Sequence, residues 1–216
     1  MAFKKLKERE KLSTYACKSQ YITLDKIPTW KDQTKELCFT PYKKNKNLNN
    51  KVSIFIDDIT TLEVDAIVNL TDSDYSGEGE VDSAVHKAAG KALYCECQSI
   101  GELKVGDAKI SGGYKLPSKF VIHTALPLDY DRKRLEECYL NSFAVAVEKG
   151  VRSVAFPSLC TKYLGYPSYE FAHLALRTVR NFLEENGSSV DLVAFCLFLH
   201  ADVQIHEDLM KFYFPI

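Results

Sequence analysis

Between Asn69 and His86 the chain reads NLTDSDYSGEGEVDSAVH. An apolar β-branched run ends at Asn69, a polar loop with Gly77 and Gly79 follows, and an amphipathic run opens at Val81. Strand, glycine-containing loop and helix in that order present backbone N–H groups and a helix N-terminus, the geometry that receives a phosphate. The loop's charge opposes such a ligand: Asp72, Asp74, Glu78, Glu80 and Asp82 occur there with no Lys or Arg among them. The same carboxylates admit a second chemistry. Asp72, Asp74 and Ser76 place oxygens at alternate positions before the turn residue Gly77, as calcium loops do, although Ser83 stands where an EF-hand has its bidentate Glu. Asp82 and His86 lie one helical turn apart on a shared face. By spacing alone Asp82 reads as a helix-start carboxylate favoured by the dipole, and His86 as a core histidine.

The elements that hold this stretch must come from one medium-sized domain. The 216 residues are 46% hydrophobic and 12% aromatic, enough for a single core and a short extension. Lys and Arg number 28 against 29 Asp and Glu, so the net charge of −1 gives no general attraction to nucleic acid or anionic membrane. The longest apolar run, Leu192 to Leu199, is far short of the roughly 20 residues of a membrane span. Seven scattered cysteines, several within apolar runs, suit a reducing compartment, and cytoplasm or nucleus is expected. Cys95 and Cys97 form the only close pair, with no second ligand pair at zinc spacing nearby.

Residues 1–20, rich in Lys, Glu and Leu, read as an exposed helix, and Ile27-Pro28-Thr29-Trp30 as an anchor against the domain. The Asn-rich stretch Lys43 to Asn50 reads as a linker, which divides the chain into an extension at 1–50 and a domain at 51–216. From Lys51 short β-rich runs alternate with helical ones. Strands are expected at Val52–Ile56, Ala66–Leu70, Ala108–Tyr114, Phe120–Thr124, Ser153–Phe156 and Val190–Leu199. Helical spacing marks Val81–Ala89, Leu135–Lys149, Glu170–Glu185 and Asp202–Phe212, with Gly150 and Gly187 as stops. This alternation predicts an α/β sandwich around a mixed, mostly parallel sheet, with any ligand outside the carboxyl ends of the strands.

Several short motifs, in order, resemble the macrodomain family and within it the MacroD-type ADP-ribosylhydrolases. They are Asp58-Ile59, VDAIVN at 64–69, Val81, Asp82 and His86, AAG at 88–90, GDAKISGGYKLPSKFVIHT at 106–124, SVAFPSL from 153, Gly165-Tyr166-Pro167, ALRTVRNFL from 175, and Phe198. The resemblance implies a three-layer α/β/α macrodomain that binds ADP-ribose or ADP-ribosylated proteins. It also implies hydrolysis of ADP-ribosyl groups on Asp or Glu side chains, or of O-acetyl-ADP-ribose, with no metal or redox cofactor. It places Asp58 and the Ile59 backbone on adenine, Phe198 stacked upon it, Asn69 on the distal ribose, and Asp82, supported by His86, on the hydrolytic water.

The departures fall on the binding loops. The family has a second Asn where this chain has Asp72, and four glycines where it has Gly77-Glu78-Gly79-Glu80. In the facing loop Ser-Thr-Gly becomes Cys160-Thr161-Lys162, and Ile-Tyr-Gly becomes Tyr163-Leu164-Gly165. A carboxylate about 6 Å from a phosphate charge repels it by roughly 0.7 kcal/mol in water and about 3 kcal/mol at an effective dielectric of 20. Weak ADP-ribose binding is therefore expected, with Lys162 reaching across to Glu78 or Glu80 and the side chains filling the groove. A non-catalytic protein-interaction module is the alternative, alongside the calcium loop at 72–82.

Overall fold

The computed structural model describes residues 14–17, 20–30, 40–127, 131–158 and 168–216. Six strands form the main sheet: β2 (Val52–Phe55), β4 (Ala66–Thr71), β5 (Ala108–Gly112), β6 (Phe120–Ala125), β7 (Ser153–Pro157) and β8 (Leu192–Cys196). Their spatial order is β2-β8-β7-β4-β6-β5, and β5 alone of these runs antiparallel to its neighbour. Two short strands, β1 (Ile22–Thr23) and β3 (Leu62–Glu63), pair in parallel beside it. β4 is buried along its whole length, as its run of apolar residues requires of a central parallel strand. The chain leaves β4 for β5 and β6 on one side, then returns to β7 and β8 on the other. Its carboxyl end therefore lies where the winding reverses.

The period of two along each strand sorts side chains into two cores. Ala66, Val68 and Leu70 pack with α4 (Arg132–Glu148), α5 (Ser168–Asn186) and α6 (His200–Tyr213). Ile67 faces α2 (Glu80–Ala89) and α3 (Lys91–Ile100) with Val121, Val85, Ala89, Leu93 and Cys97. These are the three layers expected. Gly90, at φ +85°, separates α2 from α3, and the Lys109 ammonium closes the end of α3 by donating to the carbonyls of Ile100, Gly101 and Glu102 at 3.1, 3.2 and 2.7 Å.

The structure differs from the sequence reading at several elements. α3 was not expected as a separate helix, because only Leu93 and Cys97 of it are buried and its apolar signal is thin. β8 ends at Cys196 rather than Leu199, since Phe198 and Leu199 turn outward and Leu199 caps α6. β2 and β5 also stop short, at Phe55 and Gly112. Within the stretch read as a linker, Lys46–Asn49 forms a helical turn, α1, capped by the Asn45 side chain on the Asn47 and Leu48 amides. Leu48 enters the main core, and Asn49 Nδ2 donates to the Pro215 carbonyl at 2.8 Å.

Trp30 is 1% exposed and its indole N–H donates to the Phe214 carbonyl at 3.0 Å. The Arg180 guanidinium donates to the Tyr213 carbonyl at 2.6 Å and lies over the Tyr42 and Phe214 rings. Thr40 Oγ1 donates to the Phe212 carbonyl. Four successive carbonyls, 212 to 215, are thus taken by four side chains, three of them from residues 30–49. The helix expected at 1–20 lies almost wholly outside the described residues.

Candidate functional site

Asp82 is only 1% exposed because it lies on the stripe that buries Val85 and Ala89, at positions i, i+3 and i+7 of α2. A buried carboxylate needs partners, and its surroundings supply them. Asn69 Nδ2 donates to Oδ1 at 2.6 Å, Thr71 Oγ1 to Oδ2 at 2.6 Å, and the Gly77 N–H to Oδ2 at 3.0 Å. His86 Nε2 stands 3.3 Å from Oδ1, close enough for a charge contact but without the alignment of a directed hydrogen bond. Burial pushes the Asp82 pKa up, but the nearby His86 imidazole and the hydrogen bonds from Asn69 and Thr71 outweigh it and leave the carboxyl below its ordinary value. Asp82 thereby ties the end of β4, the following loop and α2 into one unit.

Asn69 and His123 are side by side in the parallel β4–β6 pair, on the face toward α2 and α3. A carboxylate only accepts, so the Asn69 atom facing Asp82 is the NH₂ group. Its second hydrogen goes to His123 Nδ1 at 3.2 Å. His123 therefore carries its proton on Nε2 and donates to Ser111 Oγ at 2.8 Å. Burial, opposed by the Asp82 charge and aided by His86, lowers the His123 pKa to about 4. The Asn69 carbonyl oxygen is left buried with no hydrogen-bond partner among the described residues, as are Tyr75 Oη and the second His86 nitrogen, Nδ1.

The loop between β4 and α2 is built on Asp72. Its Oδ1 accepts from the Asp74 and Ser76 amides at 3.1 and 3.0 Å, and its Oδ2 from the Ser76 hydroxyl. These bonds outweigh partial burial and hold the Asp72 pKa below its ordinary value. The Asp in the family's Asn position thus organises the loop from within, which turns the calcium pattern inward. Among the described residues no three His, Cys, Asp or Glu side chains are grouped as a metal site. Tyr75, at φ +56°, is buried edge-on to His123 with ring centroids 5.4 Å apart. Gly77 has φ +75°, which suits glycine. Gly79 caps α2 with ordinary backbone angles, and a Cβ there would meet Asp82 and Leu70 at no less than 3.6 Å. Glu78 and Glu80 are exposed beside it.

At the far end of the sheet, β2 and β8 run side by side, and the segments that follow them carry Asp58, Ile59 and Phe198. Asp58 Oδ1 accepts from the Thr60 amide and hydroxyl at 2.9 and 2.8 Å, capping a turn in which Ile59 is buried. Phe198 is 82% exposed, an unusual position for so large an apolar ring. Thr161, Lys162 and Gly165, and with them the expected Lys162 contact to Glu78 or Glu80, lie outside the described residues. His123, Thr71 and Ser111 were missed as site residues. The available signal was a polar residue inside an apolar strand run, as in Val121-Ile122-His123-Thr124.

The Macro domain family model matches residues 68–175, half of the chain. ADP-ribose glycohydrolase MACROD1 of Mus musculus is 41% identical over 223 residues, covering 99% of this chain and 69% of the relative. ADP-ribose glycohydrolase MACROD2 of Homo sapiens is 38% identical, covering 91% of this chain and 49% of the relative. Among solved structures, the GDAP2 macro domain superposes with a TM-score of 0.85 at 30% identity, over 91% of this chain and 98% of that one. A Trypanosoma brucei macrodomain in complex with ADP-ribose gives 0.79 at 27% identity, over 88% and 77%. With the sandwich, the strand order and these matches in agreement, the chain belongs to the macrodomain family.

Proposed function

We propose that the chain binds ADP-ribose across the carboxyl ends of the sheet strands and slowly hydrolyses ADP-ribosyl groups carried on Asp or Glu side chains of other proteins. The observation that carries this reading is the convergence of Asn69, Asp82 and His86 at the end of β4, with the Asn69 carbonyl oxygen buried and without a partner among the described residues. A ribose hydroxyl is the kind of donor that such an acceptor lacks. In this reading Asp58 and the Ile59 backbone receive adenine, Phe198 stacks on it, and the pyrophosphate lies against the Gly77–Gly79 loop, where the Gly77 and Glu78 amides are already given to Asp82 Oδ2 and Ser76 Oγ. Asp82 orients the attacking water, its proton passes to the Asp82–His86 pair, and the substrate carboxylate leaves. Glu78 and Glu80 weaken binding by repulsion. The similarity to ADP-ribose glycohydrolases supports the activity, and the free described cysteines support a reducing compartment, cytoplasm or nucleus.

A binding-only macrodomain is favoured by one observation: both Asp82 oxygens are already occupied by donors from the chain itself. Calorimetric titration with ADP-ribose, paired with release of ADP-ribose from a Glu-modified protein, separates the two readings. Binding lost in Phe198→Ala and release lost in Asp82→Asn are the expected results. Absence of binding at millimolar ADP-ribose would remove the ligand, and binding without release would leave the binding-only form.

A further inference from the structure

We propose that Thr71 is a positioning residue which holds Asp82 in a weakly basic state and keeps the loop at 72–79 closed, by donating its hydroxyl hydrogen to Oδ2. The relevance of this to water activation rests on the ADP-ribose reading; the geometry itself does not. A general base needs a lone pair that can reach the water and a pKa that makes taking the proton favourable. Oδ2 has two directed donors, Thr71 Oγ1 at 2.6 Å and the Gly77 N–H at 3.0 Å, and Oδ1 has Asn69 at 2.6 Å with His86 close by. Hydrogen bonds to a charged acceptor stabilise the anion and reduce its basicity.

Of these donors Thr71 is the one that can be withdrawn without breaking the frame. Asn69 is fixed by His123 behind it. The Gly77 N–H belongs to a backbone turn at positive φ. The Thr71 hydroxyl is on a single rotatable bond at the last residue of β4, where the strand gives way to the loop. Rotation of that hydroxyl frees one direction at Oδ2 for a water and removes one of two contacts that tie the loop through Asp82. The groups that bear on Asp82 are His86 on its own helix, His123 on β6, Cys97 on α3 and Asp72 on the loop, with Tyr75 edge-on to the His123 ring behind them. Cys97 is pushed up to about 12 by burial and Tyr75 likewise to about 12, so both stay neutral and the balance at Oδ2 is set by the hydrogen bonds.

The test is the carboxyl-carbon titration of Asp82 by NMR in the full chain, with hydrogen exchange at the Gly77 amide, for the natural protein and for Thr71→Val, Thr71→Ala and Thr71→Ser. Thr71→Val and Thr71→Ala are expected to raise the Asp82 midpoint by about one unit and to speed exchange at Gly77, while Thr71→Ser, which keeps the donor, restores both. A midpoint in Thr71→Val equal to that of the natural protein, or a Thr71→Ser that behaves like Thr71→Val, overturns the inference. ADP-ribose binding is measured on the same samples. If the midpoints move as stated while no sample binds ADP-ribose, the Thr71 inference stands and the ligand reading fails. If binding is seen and the midpoints do not move, the reverse holds.

Discussion

Asn69 Nδ2 donates to His123 Nδ1 at 3.2 Å across the β4–β6 pair, and this bond exists only while His123 is neutral. Protonation would turn Nδ1 into a second donor facing a donor. The pKa of about 4, against the ordinary 6.5, means that the folded state resists a proton that the unfolded chain accepts. Stability is therefore complete above pH 6.5 and falls as the pH drops toward 4, by about 3 kcal/mol for this group. His206, whose pKa burial also lowers, acts in the same direction. Urea unfolding at pH 7 and pH 5 is expected to show the loss, and His123→Asn, which keeps an acceptor near Nδ1, to reduce the difference. An unchanged difference would place the pH dependence elsewhere.

Trp30 fills the main core and donates to Phe214 O, so Trp30→Ala is expected to cost about 3–5 kcal/mol, read from the midpoint of chemical denaturation. Asn49→Ala, which leaves the Pro215 carbonyl without its donor, is expected to cost about 1–2 kcal/mol. Values near zero for both would mean that Trp30 and Asn49 rest on the domain without supporting it.

The two loop glycines divide their roles. Gly77 at φ +75° serves the fold, and Gly77→Ala is expected to lose about 1–2 kcal/mol. Gly79 has room for a side chain and sits at the N-cap of α2, so Gly79→Ser is expected to leave stability unchanged or to raise it by a few tenths of a kcal/mol. If ADP-ribose lies against this loop, Gly79→Ser weakens its binding while the melting temperature holds. Equal binding before and after would move the ligand away from Gly79.

Glycine restored together at Glu78, Glu80 and Lys162 is expected to raise ADP-ribose affinity at least about tenfold, or roughly 1.4 kcal/mol. The repulsion from the two exposed carboxylates is the physical reason. Calorimetry decides it, and unchanged micromolar binding in the triple variant would show that the glutamates point clear of the ligand.

How far the sequence revealed the structure depends on which residues speak locally. β4 and α2 were legible because Ala66 to Leu70 is a compact apolar run and Val81 to Ala89 carries a helical period. Lys91–Ile100 was hidden because two buried residues in ten give little period, and α1 because its Asn-rich surface masks one buried Leu48. Asp82, Asn69 and His86 are singled out in the sequence through the family resemblance. The Thr71 and His123 contacts depend on strand pairing and on a loop folding back, relations between distant residues that spacing does not encode.

The bond from Trp30 to Phe214 joins residues 184 positions apart. Its energetic worth is one matter; its timing is another. Until β8 and α6 have been laid on the sheet, Trp30 has neither the carbonyl nor the pocket that receives it, and closing so long a loop is slow compared with forming the local β and α units. Trp30, and with it Thr40 and Asn49 on the neighbouring carbonyls, is thus expected to dock after the sandwich has assembled, as the closing step of folding.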